Sequence, residues 1–268
     1  MIGKTIFELD RVGSTNDYAN QVLSKGELDE GTVIWAHEQF AGRGQQNHKW
    51  VSKAGKNLTF TVILKPIFLA PDQQFLLNKA VSLGVLDFIR NSLYMNTFPL
   101  SNPGGSIPFH AANIKWPNDI YLGSQKIGGI LIEHKIMGSS LESSLAGIGV
   151  NINQTRFSSK IPNPVSLIHV LRNEMALKEA LLSVCKCLDL RYITLVHDGH
   201  ESLDQDYNKS LLGFDQWSNF KRDGVSLEGK IGGVDNLGRL LVETRSGEML
   251  SFNHGEIEQV TYYTSSQT

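Results

Sequence analysis

An α+β fold is predicted: a mixed sheet with helices packed on it over residues 1–215, then a small β-barrel module over residues 216–268. Three observations predict it. Segments that alternate, or that are rich in β-branched residues, are interleaved with a few stretches of helical spacing. After Phe220 the texture changes to short strands with turns at Asp235-Asn236, Gly238 and Gly247, the close turn spacing of a small barrel. A chain of 268 residues, 41% hydrophobic and 19% charged, is also long enough for one or two domains with a sizeable core.

"TIFELDRV" alternates as a strand does. "STNDYANQVLSKG" reads as a helix, with Ser14 as N-cap, Asp17 completing a capping box and Gly26 as the stop. "TVIWAHEQ" and "NLTFTVILK" are the next strands. From about Asp72 to Asn91, Phe75, Leu76, Lys79, Ala80, Leu83 and Leu86 recur at helical spacing and predict a core helix. "NTFPLSNPGGSIPFH", from Asn96 to His110, holds three prolines and two glycines and reads as a loop. "NIKW", "KIGGILIEHKI" and "ESSLAGIGVNI" are strand-like. Helical patterns return from about Ala176 to Val196 and from Glu201 to Leu212.

Several function classes are disfavoured at once. A net charge of -2 and a pI near 6.4 give no global field for nucleic acid or an anionic membrane, so any phosphate site must be a local cluster. The two cysteines, Cys185 and Cys187, fall on different faces of one helix, which speaks against a disulfide and for a reducing compartment. "MIGKTIFELDRV" lacks the layout of a secretory signal, and no window approaches eighteen apolar residues, so no membrane span and a cytoplasmic location are expected.

The segments with chemical content are "EQFAGRGQQNHKW", "IKWPNDIY", "QKIGGILIE" and "AGIGVNIN". In the first, glycines permit close backbone approach and Arg43 offers a planar fork for an anion; a solvated hairpin explains it equally well. In the second, Pro117 biases Trp116 towards an extended conformation, so Lys115 ends a strand and Asn118-Asp119 begin the turn beyond it. An ammonium and a carboxylate at one strand end could share a triphosphate and Mg²⁺, and a plain Asx turn is the alternative. Gly128 and Gly129 inside a strand mark either a ligand lying on the sheet or a bulge. The thiols and eight histidines show no metal-ligand spacing, and no serine sits in a nucleophile elbow.

Taken in order, "STN" at 14–16, "QFAGRG" at 39–44, "KWPND" at 115–119, "KIGGIL" at 126–131 and "GIGVNIN" at 147–153 resemble the biotin protein ligases, the biotin-[acetyl-CoA-carboxylase] ligase family, over roughly residues 5–260. The resemblance implies a catalytic domain of the class II synthetase and biotin/lipoate ligase type, with an SH3-like C-terminal module. It implies that biotin and ATP form biotinyl-5'-AMP and pyrophosphate, and that the biotinyl group then passes to one lysine of a biotin carboxyl carrier domain. It assigns biotin to Ser14, Thr15, Asn16, Gln39, Gly42, Arg43, Gly44, Gln45, Lys126, Gly128 and Gly129. ATP falls to Lys115, Asn118, Asp119, Gly147, Gly149 and Asn151, and Mg²⁺ to Asp119. Lys126 is the implied catalytic cation between two mutually repelling anions, and Arg43 orders its loop over the adenylate.

The chain departs from the family in three places. Gln45, Gln46 and Asn47 stand where many bacterial relatives have further arginines, which leaves open whether the adenylate leaks or is retained by other residues. After "HGEIE" no lysine or arginine follows, so the module offers no obvious cationic ATP contact. The Asn96–His110 loop is longer than the family needs. Family members that repress transcription carry a DNA-binding domain before the catalytic body, whereas here the first catalytic strand begins near Thr5; a monofunctional ligase without DNA binding is expected, as a monomer or weak homodimer. The alternatives are a lipoate or octanoate ligase or transferase of the same fold, a non-catalytic biotin-binding protein, and a transcriptional regulator.

Overall fold

The computed structural model describes residues 2–26, 28–45, 48–97, 112–197 and 200–260. The loop expected between Asn96 and His110 therefore falls, from residue 98 on, outside the described residues.

Strand β1 (Ile6–Val12) is followed by helix α1 (Thr15–Lys25), then β2 (Val33–Gln39) and β3 (Leu58–Leu64). A single 3-10 turn at Pro71–Gln73 leads into α2 (Gln74–Thr97), which runs further than the apolar spacing alone indicates. Next come β4 (Ala112–Lys115), β5 (Asp119–Leu122), β6 (Gln125–Met137) and β7 (Ser140–Val150), then the helices α3 (Leu167–Leu171), α4 (Leu177–His197) and α5 (His200–Lys209). The remaining strands are β8 (Trp217–Arg222), β9 (Val225–Val234), β10 (Leu240–Thr244), β11 (Met249–Phe252) and β12 (Glu258–Val260).

Seven strands form one sheet in the order β1-β2-β3-β7-β6-β5-β4. Only the β1–β2 pair is parallel, so the sheet is mixed as expected. Alternation decides which side chains meet which helices. On one face Val33, Trp35, Leu58, Phe60, Val62 and Ile148 join α2 and α4 in the main core. On the other, Ile34, Ile63 and Leu145 pack with Ala19 of α1. Each large apolar side chain buried this way contributes about 1.5–3 kcal/mol.

Ser14 caps α1 by accepting from the Asp17 amide at 3.4 Å, but the reciprocal half of the capping box is absent: the Asp17 carboxylate accepts from Arg43 instead. Gly26 ends the helix in extended rather than left-handed backbone. The second sheet is antiparallel, ordered β11-β10-β9-β8-β12, and forms a unit separate from the first. It is stitched to the body by Val234 N donating to Asn208 Oδ1 at 3.1 Å and by Gln259 Nε2 donating to Leu212 O at 3.1 Å. Both cysteines are free. No helix among the described residues is long and apolar enough to cross a membrane.

Candidate active site

The site lies on the α1 face of the large sheet. Strand pairing aligns Thr59, Gly149, Gly129 and Asp119 in one row across four strands, and Thr61, Gly147 and Leu131 in the next. Most of these residues are small, so the floor is low and a cavity of about 470 Å³ opens above it. Two of the glycines make room for protein side chains. A Cβ on Gly147 would lie 2.4 Å from Asn16 Oδ1, and one on Gly149 would lie 2.3 Å from Trp50 Cε2.

One end of the cavity is polar and pre-wired. Gln39 Oε1 accepts from Thr15 N at 2.7 Å and from Thr15 Oγ1 at 3.1 Å. Thr61 Oγ1 donates to Asn16 Oδ1 at 2.6 Å and lies 2.8 Å from Thr15 Oγ1. Asn16 Nδ2 donates to Glu133 Oε2 at 2.7 Å, so both ends of its amide are taken by the protein. Asn16 thereby orients the wall of the cavity, which Ser14, Thr15 and Gln39 line beside it.

The cationic end owes its geometry to a bulge. Pairing steps from Tyr121↔Lys126 to Ile120↔Gly128, so Ile127 is an extra residue on β6. Strict alternation would put Lys126 on the face opposite Gly129; the bulge re-aims it, while Ile127 enters the core. Lys126 Nζ donates to Asp119 Oδ2 at 2.6 Å. The missing side chain of Gly129 leaves both ends of this pair room, since a Cβ there would be 3.3 Å from Asp119 Oδ1 and 3.4 Å from Lys126 Nζ. Lys115 ends β4 opposite Asp119, its ammonium 5.3 Å from the Tyr121 ring centroid. The turn between them is residues 116–118, with a cis Trp116–Pro117 bond; Asp119 already belongs to β5, one residue beyond the turn in which the sequence placed it.

Over the cavity runs the glycine-rich loop. Arg43 pairs with Lys49 across an antiparallel bridge, and Gly44 N donates to His48 O at 2.7 Å. Gly42 is needed because a Cβ would lie 2.6 Å from Trp50 O. Arg43 Nη2 donates to Asp17 Oδ1 at 2.7 Å and to Glu133 Oε2 at 2.8 Å, tying the loop to α1 and β6 at once. The C-terminal module adds a further wall with His254, Gly255, Ile257, Glu258 and Gln259. Burial lowers the His254 pKa and nearby His48 lowers it further, against the opposing pull of Asp119, so a neutral imidazole is favoured there.

Of the residues singled out from sequence, Ser14, Thr15, Asn16, Gln39, Arg43, Gly44, Gln45, Lys115, Asn118, Asp119, Lys126, Gly129, Gly147 and Gly149 line this one cavity. Asn118 is buried and donates to the Ile130 carbonyl. Gly42, Gly128 and Asn151 stand outside the cavity wall. A Cβ on Gly128 would face Gly149 O at 3.0 Å, and Asn151 donates from Nδ2 to Val165 O at 3.0 Å and from its backbone to Ile127 O at 2.8 Å. Asn151 therefore braces the bulge from behind. Sequence reasoning missed Trp50 as a wall residue, Glu133 as the hub joining Asn16 to Arg43, and His254. Among the described residues no three His, Cys, Asp or Glu side chains form a metal cradle. Asp119 and Glu258 bring carboxylates to the cavity lining, and Mg²⁺ in nucleotide sites is held by one or two carboxylates with phosphate oxygens and water.

Fold and cavity together give one chamber with a hydrogen-bonded polar end at Thr15 and Gln39 and a second end that holds Lys115, Lys126 and Asp119. Residues 8–153 match the biotin/lipoate A/B protein ligase family and residues 219–259 match the biotin protein ligase C terminal domain. The first match covers more than half of the chain, and the chain belongs to the biotin/lipoate A/B protein ligase family. It is similar to the bifunctional ligase/repressor BirA of Bacillus subtilis, 27% identical over 251 residues, 92% of this chain and 72% of that protein. It is also similar to the biotin--[acetyl-CoA-carboxylase] ligase of Paracoccus denitrificans, 33% identical over 145 residues, 54% of this chain and 53% of that one. The biotin protein ligase from Aquifex aeolicus, solved with biotin and ATP, shares the fold with a TM-score of 0.71 at 24% identity, over 97% of this chain and 100% of that one.

Proposed function

We propose that this chain is an ATP-dependent biotin protein ligase that makes biotinyl-5'-AMP and transfers the biotinyl group to a lysine of a biotin carboxyl carrier domain. The observation that carries this reading is one cavity that holds Thr15 and Gln39 at its polar end and Lys126, bonded to Asp119, with Lys115 at the other. The ureido ring of biotin is an uncharged group with N–H donors and a carbonyl acceptor, and it needs full hydrogen bonding when buried. Ser14, Thr15 and Gln39 carry donors and acceptors of that kind at the polar end of the cavity.

In the first step the biotin carboxylate attacks the α-phosphorus of ATP and pyrophosphate leaves. Two anions must approach, and Lys126 stabilises the charge that accumulates between them. Lys126 is held by Asp119 before ligand arrives, so the ammonium is already aimed into the cavity. Lys115 lies at the phosphate end with Asp119. Mg²⁺, when bound with ATP, would neutralise phosphate charge beside Asp119. Arg43, fastened by Asp17 and Glu133, keeps the glycine-rich loop across the mouth and shields the mixed anhydride from water. In the second step the carrier lysine attacks the acyl carbon, AMP leaves, and positioning of the amine supplies most of the acceleration.

The reaction calls for no DNA and no membrane, and a cytoplasmic protein, as a monomer or weak homodimer, fits it. The test is exchange of labelled pyrophosphate into ATP with biotin, lipoate or octanoate as the acid. Exchange with biotin alone supports the reading; exchange with lipoate or octanoate instead moves the chain to the other branch of its family, and biotin binding without exchange makes it a binding protein.

A further inference from the structure

The turn that separates Lys115 from Asp119 is held from behind, outside the cavity. Pro117 O accepts two hydrogen bonds, from Tyr207 Oη of α5 at 2.6 Å and from Asn78 Nδ2 of α2 at 2.9 Å. Tyr207 is completely buried, and burial raises its phenol pKa, so the hydroxyl keeps the proton that it donates. Its ring stands edge-on to Phe75 at 5.8 Å and has the Lys79 ammonium at 5.9 Å from its centroid. Lys79 is itself buried and bonded to Asp204 at 2.8 Å.

The same turn is gripped from the other side by the C-terminal module. Trp116 Nε1 donates to Gly238 O at 3.0 Å, and the Trp116 ring stands edge-on to His254 at 5.6 Å. Gly238 packs against Phe75 so closely that a Cβ there would lie 2.3 Å from the ring. Phe75 thus touches both Tyr207 and the module's turn.

We propose that Tyr207 and Asn78 are positioning residues for the nucleotide half of the reaction: by fixing the Pro117 carbonyl they set the separation of Lys115 and Asp119, and through Trp116 and Gly238 that separation depends on the seating of the C-terminal module. This rests on the reading of the Lys115–Asp119 corner as the nucleotide site. The hydrogen bonds reach no ligand, so their loss acts through geometry, and displacements of order 1 Å in a positioned group are costly to rate.

The experiment measures biotin-dependent pyrophosphate exchange, with KM for ATP and KM for biotin determined separately, in Tyr207→Phe, Asn78→Leu and the double variant. Loss of one donor is expected to raise the ATP KM about fivefold and loss of both by at least tenfold, roughly the value of one and two hydrogen bonds. The biotin KM is expected to stay within about twofold, because the Thr15–Gln39 end shares no partner with this turn. Gly238→Ala, which unseats the module turn, is expected to raise the ATP KM in the same way. An unchanged ATP KM in the double variant overturns the proposal, and so do equal rises in both KM values, which mark merely structural support. If Tyr207→Phe does not fold, half-buried Asn78 carries the test alone with the same two outcomes. Wild-type exchange with lipoate in place of biotin overturns the biotin reading only, and the ATP KM comparison run with lipoate still decides this inference; wild-type protein that neither exchanges nor binds ATP overturns both.

Discussion

Lys126 and Asp119 face each other across the β5–β6 bulge with 2.6 Å between ammonium and carboxylate, each about one-third exposed. If the pair serves the adenylation step as proposed, Lys126→Ala is expected to lower biotin-dependent pyrophosphate exchange by about 10²- to 10³-fold, the usual loss when one preorganised charge donor is removed. Near-normal turnover would take Lys126 out of the chemistry. Asp119→Asn keeps the shape of the pair and is expected to depend more steeply on Mg²⁺ than wild type.

Gly149 and Trp50 make a second relation that substitution can probe. Trp50 Nε1 is buried without a hydrogen-bond partner among the described residues, and the indole lies on the bare Cα of Gly149. Gly149→Ala would drive a methyl into the ring, and overpacking of this kind costs about 1–3 kcal/mol. The cheapest relief is for the indole to swing out, carrying the glycine-rich loop with it. Faster proteolysis between Arg43 and Trp50 and a red-shifted tryptophan emission are expected, with β7 still formed by circular dichroism. A variant with wild-type emission and protease resistance would mean that the sheet gives way instead.

Much of this site was legible because local physics fixes it. The Ser14 cap, the period-2 strands and the Lys115–Pro117 strand end depend on neighbours in sequence, and fourteen of the residues named from the motifs line one cavity. What stayed hidden depends on register. β5 is four residues long between two turns, and its alternation is too short to fix its register. The Ile127 bulge decides that Lys126 faces the cavity, yet "QKIGG" alone allows either face. Gly147 and Gly149 read as space for a ligand; across the sheet they are space for Asn16 and Trp50. Glu133 carries no motif of its own, and only the docking of α1 and of the loop turns it into a hub.

The pH dependence of stability has a definite sign at His254. Burial holds its folded-state pKa below the ordinary 6.5, so the unfolded chain takes up the proton first. Stability from the neutral ring is complete above the unfolded value and is lost as pH falls through the folded one. His134, also lowered by burial, acts in the same direction. Between about pH 7 and about pH 5 the melting temperature of wild type is expected to fall more steeply than that of His254→Asn. Parallel curves for the two proteins would remove His254 from the pH response.

Thr61 offers the sharpest separation of the two halves of the cavity. Its hydroxyl is fully buried, donates to Asn16 Oδ1 at 2.6 Å and lies 2.8 Å from Thr15 Oγ1. Valine has nearly the same shape, so Thr61→Val leaves the β3–β7 packing intact but strands a buried amide oxygen, at a cost of about 1–3 kcal/mol. Asn16 can relieve that cost only by turning its amide, which would break its bond to Glu133 and with it the support Glu133 gives Arg43. Biotin affinity is therefore expected to fall roughly tenfold, the effect of losing one well-made hydrogen bond at a charged or buried site. ATP affinity is expected to hold, because Thr61 and Lys115 have no common partner. Calorimetric titration of each ligand separately reads both, and an equal loss for biotin and ATP would show that the two ends of the cavity are not independently built.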